Sequence, residues 1–260
     1  MTMEETQLNY STRLLRKGAF IEETYRVFAH WDFAMPTREN LSRICREKPL
    51  GAPNESWLRE ITTTLSSRFS HGDSIEPLVK LAKARYPIER WRYCLLWHFA
   101  STDGLYRRFS EDFLFAQLRQ GVAVLSTEVV MPFIERLRDE GLMESDLSSY
   151  AVRRGARDLL RMAAAFGLLE GQPIRRFTHN PIPEDALLYG LYDLMDRFHS
   201  VDRAIRSERW RLFLLTAEDV EHELLNLHQY RRLHYEVAGT VRELSLPYAS
   251  LLDFTRSLAT

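Results

Sequence analysis

Apolar positions recur every three or four residues along most of the chain and strict alternation is scarce, so the pattern predicts a mainly α, multi-helix globular protein. The clearest stretch is 146–169. On a 3.6-residue period Ala151, Gly155, Leu159, Met162 and Phe166 share one arc, while Arg153, Arg154, Arg157 and Arg161 share the opposite one. The first set wants a core. The second wants solvent or an anion, because guanidinium groups this close repel one another unless something negative or water lies between them. Asp146 or Ser148 can accept the orphan N–H groups at the helix start, and Gly167 can take the left-handed cap before Leu168 and Leu169 return to the core. A short polar turn with a further basic pair, Arg175 and Arg176, comes next. Helix, Gly-Leu-Leu and basic loop together form the sequence outline of a winged helix-turn-helix.

The same period places the other elements. A helix is expected over 10–31, with Leu14, Leu15, Phe20, Ile21, Tyr25 and Phe28 apolar and Arg13, Arg16 and Lys17 in its first turns. Thr37 is an N-cap for a short helix through Leu41 and Ile44, which stops at Lys48-Pro49. A helix over 55–69 has a core stripe of Trp57, Leu58, Ile61, Leu65 and Phe69. Its other face holds Arg59, Thr62, Thr63, Ser66, Ser67 and Ser70. Hydroxyls compete for backbone hydrogen bonds, so solvated helix faces more often carry Glu, Lys and Gln; short donors with one arginine suit a nucleic-acid backbone or groove. These two helices form a helix-turn-helix-like pair, although the loop between them is longer than usual. Ser74, Pro87 and Asp103 open three further helices, Gly121 closes the third, and a helix over 127–140 follows. A boundary in 120–127 divides an N-terminal helical domain, 1–123, from a C-terminal one, 124–260. Beyond it, 183–198 is a helix, 207–215 a short apolar segment around Trp210, and Thr216 opens a capping-box helix. Leu233, Tyr235 and Val237 alternate before Ala238-Gly239, which predicts a small hairpin, and 248–258 is a last short helix.

Composition changes this picture little. The chain has 260 residues, 45% of them apolar, and a formal net charge of −1, so any attraction for nucleic acid must come from segregated surface charge. Lys17, Lys48, Lys80 and Lys83 are the only lysines; every other base is arginine, the side chain suited to bidentate phosphate or carboxylate contacts. Cys45 and Cys94 read as buried reduced thiols of a cytoplasmic protein. The first ten residues carry neither a basic region nor an apolar run, and no apolar segment approaches the roughly 18 residues of a membrane span. Phosphate-binding glycine loops, a serine-nucleophile elbow and the zinc-protease motif are all missing, so no cofactor and no enzyme activity is expected. Asp219 and His222 lie three apart on a helix but lack a matching carboxylate motif, so they read as a solvated face; His98 reads as a hydrogen-bonded core histidine.

Tyr10-Ser11, Gly18-Ala19-Phe20 and Glu22-Glu23, Trp57-Leu58 with Ile61 and Arg68, Phe109 with Asp112-Phe113, Gly167-Leu168-Leu169, and Trp210 with Phe213 form a set of matching positions spread over most of the chain. On these the chain resembles the BrxA family of bacteriophage exclusion (BREX) phage-defence systems. The likeness implies an all-helical cytoplasmic protein with helix-turn-helix-like elements that binds double-stranded DNA beside a methyltransferase, an ATPase and a phosphatase-like partner. The expected reading is a non-enzymatic DNA-binding component. Arg153, Arg154, Arg157, Arg161, Arg175 and Arg176 would meet phosphates, and Arg59, Thr62, Thr63, Ser66 and Ser67 would form a second face. A protein adaptor within the defence complex and an RNA-binding helical protein are the alternatives, and a metalloenzyme is the weakest reading.

Overall fold

The computed structural model describes residues 10, 18–47, 55–69, 75–143, 147–179, 182–239 and 241–259. Helices dominate: α1 (Ile21–Ala29), α2 (Thr37–Glu47), α3 (Glu55–Phe69), α4 (Glu76–Lys83) and α5 (Ile88–Thr102) come first. α6 (Gly104–Arg108) runs through a π-helical turn, Phe109–Leu114, into α7 (Phe115–Arg119). Then come α8 (Thr127–Asp139), α9 (Ser149–Ala165), a hairpin of β1 (Leu169–Glu170) and β2 (Arg176–Phe177), α10 (Glu184–Phe198) and α11 (Val201–Ile205). A 3-10 turn, Glu208–Phe213, leads to α12 (Ala217–Gln229), a second hairpin of β3 (His234–Ala238) and β4 (Val241–Ser245), and α13 (Leu251–Ser257). The expected mainly α class and the small C-terminal hairpin are both present.

The caps explain several of these boundaries. Asp103 accepts from the Tyr106 N–H to open α6, Ser148 accepts from Ala151 to open α9, and Thr216 and Asp219 close a reciprocal capping box on α12. The first helix departs from expectation. Gly18 has φ +80° and Phe20 φ +51°, left-handed conformations that no helix accommodates, so α1 begins only at Ile21. The expected apolar residues Leu14 and Leu15, the basic residues Arg13, Arg16 and Lys17, the cap Ser74, the helix stop at Lys48-Pro49, Ser70 and the alternative cap Asp146 lie outside the described residues.

α5 is the axis of the core. Trp91, Cys94, Leu95, Leu96, Trp97 and Phe99 are all buried, Trp97 lies 5.4 Å from Trp210 and 5.5 Å from Phe213, and Gly190 in α10 lets Trp97 and Trp210 come close to its backbone. The π-helical turn stacks Phe109 on Phe113, and both rings meet Phe133 of α8. Aromatic pairs of this kind contribute roughly 0.5–1.5 kcal/mol each beyond the area they bury. One apolar cluster extends from Ala19 to Phe254 and joins residues on both sides of the expected boundary at 120–127. Cys94 is a buried free thiol, and burial pushes its pKa upward; of Cys45 only the backbone is described. His98 is buried with its Nε2 2.6 Å from the Tyr189 hydroxyl, as a core histidine requires.

Candidate nucleic-acid interface

The amphipathic pattern of 149–165 becomes geometry in α9. Val152, Ala156, Leu159, Leu160, Met162 and Ala163 are buried, chiefly against α8, while Tyr150, Arg153, Arg157 and Arg161 are exposed along one stripe. From Tyr150 to Arg161 the stripe is about 16 Å long at 1.5 Å per residue. Gly167, at φ +84°, ends the helix: its N–H meets the Ala164 carbonyl and the Leu168 N–H meets Ala163. Leu168 and Leu169 then return to the core, and the Arg92 guanidinium donates to the Ala165 carbonyl at 3.4 Å, a cation placed at a helix C-terminus.

The loop behind α9 is organised from a distance. β1 and β2 pair antiparallel, Leu169 with Phe177 and Glu170 with Arg176. Leu125, two residues before α8, bridges Arg175 through two backbone hydrogen bonds of 2.8 and 2.9 Å. The segment order is therefore helix, bridging residue, helix, helix, hairpin. The bridge brings the Arg175-Arg176 loop to the start of α8, where Glu128 sits, and Glu128 bonds Arg153 of α9 at 2.7 Å. Arg153 and the loop thus border the same corner of the molecule.

The arginines of α9 differ in what holds them. Arg153 pairs with Glu128, both largely exposed, and the carboxylate is drawn below its usual range by its own backbone N–H, by Ser126 and by Arg153. Arg154 and Arg161 flank Asp158, at 3.9 and 3.2 Å; that carboxylate is buried. Arg157 is exposed, and no ion pair or hydrogen bond joins it to another described residue. In the loop, Arg175 is half-buried and donates to the Gly171 carbonyl, whereas Arg176 is exposed. Asp158 was not among the residues singled out from the sequence, although its i,i+4 spacing from Arg154 and i,i+3 spacing from Arg161 were there to be read. Glu128 is 25 positions from Arg153 and gave no local signal.

The second face, on α3, is oriented as the pattern demands in part. Arg59, Thr63 and Ser67 are exposed and Thr62 and Ser66 half-buried, with Arg59 3.8 Å from Glu55. The Thr62 hydroxyl is spent on its own helix, donating toward the Leu58 and Arg59 carbonyls. Leu58, Ile61 and Leu65 are buried; Trp57 and Phe69 are only partly so.

A buried charge on the inner side of α3 escaped the sequence reading. Arg68 is 2% exposed, donates to the Gly18 and Ala19 carbonyls at 2.7 and 3.0 Å, and lies 4.5 Å over the Phe99 ring. Burial lowers its pKa to about 10, opposed by Asp103. Asp103 is buried as well, and burial raises its carboxyl to about 6 against the pull of the Tyr106 N–H and of Arg68. Elsewhere, Asp219 is committed to its capping box, and among the described residues no group of three or more His, Cys, Asp or Glu could hold a metal ion. No described helix is long and apolar enough to cross a membrane.

Fold and surface together define a mainly helical protein with an arginine-bearing helix face turned outward beside a small hairpin. The chain belongs to the BrxA family, whose model matches residues 8–189, and membership suggests a component of a BREX phage-defence system. Comparison with curated proteins and with solved structures gives no match.

Proposed function

We propose that the segment from α6 to β2 is a winged helix-turn-helix and that the chain binds duplex DNA through α9 and the hairpin loop, without catalysing a reaction. The observation that carries this reading is the outward row Tyr150, Arg153, Arg157 and Arg161, flanked by Arg175-Arg176 through the Leu125 bridge. A stripe of about 16 Å on a helix is of a size to lie in a major groove about 12 Å wide. Hairpin-loop arginines beside it would reach the adjacent backbone. The internal pairing of Arg153 is no obstacle, since an exposed ion pair contributes only about 0.2–1 kcal/mol and a phosphate can replace Glu128. The α3 face, with Arg59, Thr63 and Ser67, is a second contact surface on this reading, in a cytoplasmic protein working beside other defence components.

Fluorescence anisotropy with unrelated duplexes tests the proposal. Arg157→Glu should weaken binding about tenfold, with unchanged thermal unfolding, because it places a carboxylate where a phosphate should sit. Wild-type affinity for the variant would remove α9 from the interface. The second reading, an adaptor docking on acidic proteins, is favoured by the carboxylates that Arg153, Arg154 and Arg161 already hold. It predicts no duplex binding and an Arg157-dependent association with other defence components.

A further inference from the structure

We propose that the β1–β2 hairpin is a wedge that bends the duplex, with Ile174 entering the minor groove; the inference rests on the DNA-binding reading of α9. Ile174 stands at the loop with 51% of its surface exposed, immediately before Arg175 and Arg176, and Val124 beside the Leu125 bridge is 44% exposed. Two exposed aliphatic side chains, Val124 and Ile174, thus border the bridged loop that carries the exposed Arg176. Minor-groove proteins use such a combination: an apolar side chain separates a base step while flanking cations hold the strands, kinking the helix by about 20–90°.

The loop is also built stiffly enough to transmit force. Gly171 has φ +87°, and a Cβ there would fall 2.7 Å from the Ile174 carbonyl oxygen, so the turn closes this tightly only with glycine. The Arg175 side chain donates to the Gly171 carbonyl across the turn, and the Arg175 backbone is fixed to Leu125 on both its N–H and its carbonyl. Ile174 is therefore presented on a braced turn rather than a loose one. Because the bridge joins this turn to the start of α8, and Glu128 joins α8 to Arg153, a helix seated in the major groove would carry the turn to the neighbouring minor groove.

End-labelled duplexes of about 25 base pairs, read by fluorescence energy transfer, provide the test. Wild-type protein should shorten the end-to-end distance; Ile174→Ala, read at saturating protein, should leave the duplex straight; Ile174→Phe should restore the bend. Ile174 is exposed, so circular dichroism should show all three folded alike. A straight duplex under saturating wild-type protein, or an Ile174→Ala complex bent as strongly as wild type, overturns the wedge while leaving DNA binding in place. Absence of binding to any duplex at low salt overturns the reading of α9, and the wedge with it.

Discussion

Asp158 shows how one side chain can hold an arginine stripe in place. Itself a buried residue of α9, it is flanked by Arg154 and Arg161, so reversing Arg161 would set a new carboxylate beside a buried one and destabilise the helix as well as weaken any DNA contact. Arg157 has no such coupling among the described residues, which makes it the clean probe of function. Asp103 and Arg68 pose the opposite case, two buried charges whose influence is on stability. With its carboxyl raised to about 6, Asp103 binds a proton in the folded chain over a range, about pH 4 to 6, in which the unfolded chain has released it. Its contribution to stability must therefore fall as pH rises through that window and stay level above it. Chemical denaturation of wild type and Asp103→Asn should show a stability difference that shifts against wild type between pH 4 and pH 6.5; a constant difference would mean that the carboxyl is ionised throughout. A charged residue at position 68 of an amphipathic helix reads as solvated in sequence, because burial of arginine is rare and depends on partners far along the chain. Here the partners are the carbonyls of Gly18 and Ala19, 50 and 49 positions away.

At the scale of elements, most helices were legible because caps and apolar periods are local. Ser148, Gly167, Asp103 and Thr216 act where short-range chemistry places them. α1 was drawn too long because the apolar period continues through Phe20, and only Gly18 hinted at the left-handed backbone that interrupts it. The hairpin after α9 was visible as a basic loop, but not its tie to Leu125, since a bridge across 50 positions leaves no periodic trace. The terminus of α9 is the element most exposed to mutation. Gly167→Ala would put a Cβ 2.5 Å from Arg92 Nη2 and 2.8 Å from the Tyr93 hydroxyl, at a φ that L side chains avoid, and Tyr93 is buried. A loss of roughly 1–3 kcal/mol is expected, measured by urea unfolding. Thr216→Ala removes one half of the α12 capping box and should cost about 1 kcal/mol in the same assay. If Gly167→Ala cost less than Thr216→Ala, the close approach of α5 to Gly167 would not be the constraint described.

For the whole molecule, the residues that carry the family likeness turn out to be packing residues more than surface ones. Gly18, Ala19 and Phe20 meet Arg68, Phe109 stacks on Phe113, and Trp210 lies on Trp97. Kinship was thus legible from the core, whereas the outward stripe was legible from periodicity alone. Because the net charge is −1, long-range attraction to DNA is weak, and on the DNA-binding reading affinity would come from local sets, of which the exposed arginines Arg153, Arg157, Arg161 and Arg176 are the first. Four phosphate contacts release counterions with a slope of about −3.6 in log affinity against log salt, a loss of roughly a hundredfold between 50 and 200 mM. Arg157→Glu should lower the magnitude of that slope by about 1, equally on every duplex sequence. Replacing Arg59 on α3 as well should lower it further only if that face reaches the same duplex, and an unchanged slope would assign α3 to another surface. A slope near zero at measurable affinity would mean that phosphates are not what the stripe grips, and that carboxylates of another protein, like those of Glu128 and Asp158 at home, are the better match.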